Sequence, residues 1–135
     1  MFKMFTTNLM VESVDKTVEF YRDILGFSVI ASVPNEQKGR LDFVILSKDS
    51  MSLMLQNRES LIEECPILNF PKVQPSATLY ITVDNFDDMY KDIKSKYAIL
   101  KDIHVTNYGM TEFAIADNNG YVITIAEHKE IMPGL

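Results

Sequence analysis

The sequence is poor in the residues that carry most metal and redox chemistry. It has one cysteine, Cys65, two histidines, His104 and His128, and no tryptophan in 135 residues. A single cysteine excludes an intramolecular disulfide and suits a reducing cytoplasm. The C-x-x-C and C-x-x-H spacings of a zinc site are absent. So are G-x-G-x-x-G and the phosphate-loop pattern, and no nucleotide site is predicted. No apolar run approaches the roughly 20 residues that cross a bilayer. The opening MFKMFTTNLMV is not expected to act as a signal peptide, because Lys3, Thr6, Thr7 and Asn8 break its apolar run and no small-residue cleavage site follows. Positive charge is scarce and scattered: the formal net charge is -6 and the pI about 4.8. Such a surface repels phosphate backbones. The expectation is a cytoplasmic protein that binds neither nucleic acid nor membrane.

What is present is ordinary globular composition, 47% hydrophobic and 24% charged. The length fits one compact domain, or two small modules sharing one core. Residues 5–11 alternate as a strand. The segment ESVDKTVEFYRDILG predicts a helix, with Ser13 as N-cap, Gly26 as stop, and Val14, Val18, Tyr21 and Leu25 on its apolar face. FSVIASV predicts a strand and residues 34–39 a loop. LDFVILSKDSMSLMLQ then predicts two strands around Lys48, Asp49 and Ser50. The order recurs: ATLYITV as a strand, DNFDDMYKDIKSKY as a helix capped by Asp84 or Asn85, a strand over 99–106, and EFAIADNNGYVITIAE as a hairpin. In the second helix Phe86, Tyr90, Ile93 and Tyr97 form the apolar side.

A shift of about 72 positions lays Val11 on Val83, Val14 on Phe86, Val18 on Tyr90 and Tyr21 on Ile93. A slightly smaller one lays DFVIL (42–46) on EFAIA (112–116), which makes Asp42 and Glu112 equivalent. The division predicted is a first βαβββ module over 1–57, a connector over 58–76, a second module over 77–128 and a tail over 129–135. Pro66, Pro71 and Pro75 keep most of the connector out of strand or helix interiors.

Strand parity separates two faces. Leu9, Val11, Leu53, Leu55, Ile81, Val83, Ile123 and Ile125 are aliphatic and should pack under the helices. The opposite face carries Thr6, Asn8, Met10, Ser52, Met54, Gln56, Thr78, Tyr80, Thr82, Val122, Thr124 and Ala126. A solvated face would collect Lys and Glu. Hydroxyls, amides and methionines instead suit a partly enclosed cavity or a face buried in a dimer.

Two motifs carry a resemblance. VDKTVEFYRDILGF is similar to S-x-x-F-Y-x-x-x-L-G-F at Thr17, Phe20, Tyr21, Leu25, Gly26 and Phe27. The closing segment is similar to W-G-x-x-E-F-x-x-x-D-P-x-G at Tyr108, Gly109, Glu112, Phe113, Asp117, Asn119 and Gly120, with Tyr for Trp and Asn118 for Pro. With the paired modules, the chain resembles the vicinal-oxygen-chelate superfamily of glyoxalases, bleomycin resistance proteins and extradiol dioxygenases. It is nearest in pattern to the metal-independent bleomycin-resistance branch. The resemblance implies an α+β fold: tandem βαβββ modules whose mixed sheets curl into a cup, with helices on the outer face. Metal-using members place His or Glu on the first and last strand of each module. Carried over, those positions are Thr6, Met54, Thr78 and Thr124, none of them a usual ligand.

The resemblance therefore implies no metal and no cofactor. The predicted function is to bind, as a homodimer, a small organic molecule such as a drug or metabolite. Asn8, Gln56, Thr78, Tyr80 and Thr124 would give polar contacts; Met10, Met54 and Phe113 would give apolar surface. A cationic ligand suits the acidic charge. The alternatives are a glyoxalase-type lyase or isomerase with an atypical metal site, and a vestigial cup in a larger assembly. No residue is assigned a catalytic role. His104 and His128 are expected as surface residues, Glu112 and Asp42 as strand-start polar residues, Glu63 and Glu64 as a solvated pair, and Cys65 as unreactive.

Overall fold

The computed structural model describes residues 1–129, so the tail expected over 129–135 lies, beyond Lys129, outside the described residues. The chain divides into two compact units, Met1–Gln74 and a second that begins at Pro75. In the first unit, β1 (Asn8–Val11) leads to α1 (Val14–Leu25), then β2 (Ser28–Asn35), β3 (Arg40–Lys48) and β4 (Met51–Asn57). α2 (Arg58–Glu64) and a short 3-10 turn, Pro66–Leu68, follow. The second unit contains β5 (Thr78–Thr82), α3 (Phe86–Lys96), β6 (Lys101–Val105), β7 (Met110–Ala116) and β8 (Val122–His128). Both units hold a four-stranded mixed sheet, ordered β1-β4-β3-β2 and β5-β8-β7-β6. In each the first strand is parallel to the last and the other pairings are antiparallel. This is the α+β, tandem βαβββ plan that the sequence implied.

Local chemistry sets the helix ends. The Ser13 hydroxyl accepts from the Lys16 N–H at 3.2 Å, and Gly26 closes α1 at φ 78°, a left-handed conformation that glycine adopts without a Cβ penalty. Val14, Val18, Phe20, Tyr21 and Leu25 bury their side chains as α1 lies against β3 and β4, whose Val44, Leu46, Leu53 and Leu55 are buried too. In α3, Asn85 sits at the cap but its side chain makes no capping bond. Instead the Glu127 carboxylate reaches from β8 and accepts from the Phe86 N–H at 3.0 Å. The connector is more ordered than its prolines suggested. Residues 58–64 precede the first proline, and the Asn57 side chain caps them by accepting from the Ser60 N–H at 2.8 Å.

The internal repeat holds with one correction. Leu55 opposes Val44, whereas Ile125 opposes Phe113. Val44 is thus the counterpart of Phe113, and Phe43, not Asp42, is the counterpart of Glu112. The loop joining β7 and β8 is one residue longer than the matching β3–β4 turn, because Ser47 pairs Ser52 and Ala116 pairs Val122. A one-residue slip exchanges the two faces of a strand. Asp42 accordingly lies on the helix side, bonded by Asn57 at 2.6 Å, while Glu112 lies on the face turned away from α3.

Candidate functional site

The face of each sheet turned away from its helix is called the open face below. In the second unit the pairings Tyr80 with Thr124, Ala114 with Thr124, Glu112 with Ala126 and His104 with Glu112 put these side chains on one surface. Glu112 is the unusual member. It is only 6% exposed, although it is a carboxylate on a strand. Its burial is matched by donors. The Tyr80 hydroxyl donates to Oε2, reaching from β5 across β8, where the small Ala126 leaves room. The Tyr108 hydroxyl donates to the same oxygen at 3.2 Å, and His104 Nε2 lies 3.3 Å from Oε1. The bond to Glu112, joined by lesser contributions from burial and Tyr108, pushes the Tyr80 phenol well above its ordinary value.

Two backbone features aim these groups. β6 carries a register shift between Lys101, which pairs Ala114, and His104, which pairs Glu112. That extra residue turns His104 toward Glu112 rather than away from it. On its other side the ring's Nδ1 stands 3.0 Å from the Asp102 carbonyl, which can only accept. Tyr108 is placed by the turn into β7. The Gly109 N–H donates to the Thr106 carbonyl at 3.1 Å, and Gly109 takes φ 86°, reversing the chain directly after the tyrosine. His104 is therefore not a lone surface histidine, and Glu112 is more than a strand-start residue. The sequence signal was present: Tyr108, Gly109 and Glu112 stand together in the quoted motif.

The open face of the first unit is partly occupied by its own chain. Asn8 Nδ2 donates to Gln56 Oε1 at 2.9 Å. Gln56 Nε2 donates to Ser60 Oγ at 2.9 Å and to Glu64 Oε2 at 3.1 Å. Gln56 is buried, with both side-chain atoms engaged, and holds α2 against β4. Glu64 is thus tied to the sheet rather than merely solvated. Met10 and Met54 are half-buried on the same face, and Thr6 shares a 3.2 Å hydroxyl contact with Ser52.

Of the residues expected to touch a ligand, Asn8, Met10, Met54 and Gln56 share the open face of the first sheet, and Thr78, Tyr80 and Thr124 that of the second. Phe113 does not join them. It is fully buried on the helix side, its ring 5.3 Å from Phe86 and 5.2 Å from Tyr90. The register correction above is the reason. The positions where the resemblance puts metal ligands hold three hydroxyls and a thioether, a donor set that does not fit a divalent ion. Among the described residues no three His, Cys, Asp or Glu side chains gather to hold a metal. A surface hollow of about 620 Å³ lies at the start of α3, lined by Asp84, Asp87 and Asp88 among others.

The sequence pattern of the glyoxalase/bleomycin resistance protein/dioxygenase superfamily matches residues 3–125, and the chain belongs to that superfamily. Solved structures share the fold. TioX from Micromonospora sp. ML1 superposes with a TM-score of 0.74 at 12% identity, over 94% of this chain and 99% of its own. A glyoxalase-related enzyme from Clostridium phytofermentans gives 0.73 at 17%, over 96% and 97%. A virulence protein from Salmonella typhimurium gives 0.68 at 21%, over 96% and 98%. No curated protein matches the sequence. Identities this low establish the architecture, while activity depends on the site.

Proposed function

We propose that this protein binds a small organic molecule on the open face of its sheets without using a metal ion. One observation carries the reading. On β1, β3, β4, β5, β7 and β8 the open faces display hydroxyl, amide, thioether and aromatic groups, and the one acid among them, Glu112, is buried and hydrogen-bonded. Apolar area interrupted by a few fixed polar groups is what a ligand surface requires. The four positions that would chelate a metal hold Thr6, Met54, Thr78 and Thr124. A cytoplasmic homodimer that sequesters a drug or metabolite belongs with this reading.

A thermal-shift screen of small molecules in excess chelator tests it. A ligand that binds the folded state alone raises the midpoint, and the shift grows with the logarithm of its concentration above the dissociation constant. At least one compound should stabilise the protein in chelator, and Thr124→Phe should abolish that shift while leaving the ligand-free midpoint nearly unchanged. Stabilisation that appears only after zinc or nickel is added would overturn the proposal in favour of a metal-dependent lyase or isomerase.

A further inference from the structure

We infer that the cluster around Glu112 is a subsite for an organic cation, an alkylammonium group held against two tyrosines; this rests on the small-molecule reading above. The first observation is charge. Glu112 is 6% exposed, and among the described ion pairs its only cationic partner is His104, which is charged only in its doubly protonated form. Among the described residues no lysine or arginine forms an ion pair with it. With His104 neutral, its one proton sits on Nδ1 facing the Asp102 carbonyl, and Nε2 donates nothing. A nearly buried carboxylate held by two neutral hydroxyls therefore keeps a negative field on that face.

The second observation is the state of the hydroxyls. Tyr80 and Tyr108 both direct their protons at Glu112 Oε2, so toward a ligand they present oxygen lone pairs and ring faces, not donors. Such a surface accepts N–H groups and positive charge and repels carboxylates and phosphates. The third is accessibility. Tyr80 is 49% exposed and Tyr108 65%, so their rings are open to a ligand while the carboxylate lies behind them. Aromatic rings backed by an acid form the arrangement that holds ammonium groups through cation–π attraction. The first sheet lacks this feature, since Glu112's counterpart there is Phe43 and Tyr80's is Asn8.

Three probes of similar size separate charge from shape: benzylamine, benzyl alcohol and benzoate. Each is titrated into the full chain, at neutral pH and in chelator, while the tyrosine ring signals are followed by NMR. Benzylamine should shift the Tyr80 and Tyr108 signals saturably, about tenfold more tightly than benzyl alcohol, with benzoate weaker still; each tenfold step corresponds to about 1.4 kcal/mol. Glu112→Gln, nearly isosteric, should remove the preference for amine over alcohol. Tyr108→Leu, which removes an exposed ring, should weaken benzylamine severalfold in a chain whose NMR spectrum remains that of the folded protein. Equal binding of benzylamine and benzoate, or an amine preference that survives Glu112→Gln, would overturn the inference. So would compounds from the chelator screen that bind the open faces only when neutral or anionic, though these would leave the small-molecule reading intact. If no compound of any charge binds either open face, both fall.

Discussion

Glu112 and Asp42 occupy different faces and are hydrogen-bonded by different neighbours. Tyr80 gives Glu112 its most direct donor, and that bond in turn keeps the phenol protonated. A raised value in the folded state contributes stability that is fully present below the ordinary tyrosine pKa of about 10 and is lost as pH rises through the folded value. In a ring-carbon NMR titration Tyr80 should remain protonated while an ordinary tyrosine ionises. Glu112→Gln should return it toward the ordinary range, and an unchanged Tyr80 titration in that variant would contradict the hydrogen-bonded cluster. For Asp42, burial works to raise the pKa, but hydrogen bonds from Asn57, Arg40 and Asn35 outweigh it and hold the carboxyl below its usual value. The sign is opposite to that of Tyr80. The contribution is present above about pH 3.9 and is lost as pH falls through the lower folded value. Asp42→Asn should cost about 1 kcal/mol at pH 7, and denaturant titration should find a smaller difference from wild type at pH 3.

At the scale of elements, strand parity and turn length decide which side chains meet. Periodicity and caps made both helices legible, and alternation separated the aliphatic face from the polar one. Phe113 was misplaced because the two β-hairpins differ by one residue, a difference that similar short motifs conceal. Its ring packs between Phe86 and Tyr90. Phe113→Ala should therefore destabilise the protein by about 3–5 kcal/mol, whereas Thr124→Ala on the open face should cost less than about 1 kcal/mol. Equal losses in chemical denaturation would contradict the register. The register shift in β6 that turns His104 toward Glu112 leaves no mark in the residue pattern. Nor was α2 legible, since its role depends on Gln56 bonding Ser60 and Glu64 across the strand end.

Over the whole molecule, duplication is what the sequence states most clearly, and the two copies have diverged where chemistry would reside. The scaffold positions agree: aliphatic residues on the helix side of the first and last strands, and one amphipathic helix after the first strand; the Ser13 cap and the Gly26 stop belong to the first copy alone. On the open faces Asn8 stands where the second copy has Tyr80, and Phe43 where it has Glu112. No helix among the described residues is long and apolar enough to cross a membrane. The superfamily uses one scaffold for several chemistries, so the donor set at Thr6, Met54, Thr78 and Thr124 carries the distinction between binding with and without a metal. The most direct measurement is an equilibrium titration of the purified protein with zinc and with nickel, followed by desalting and elemental analysis. Binding without a metal predicts that neither ion remains on the chain in stoichiometric amount. One retained ion per chain, lost on substitution of Thr78 or Thr124, would contradict it.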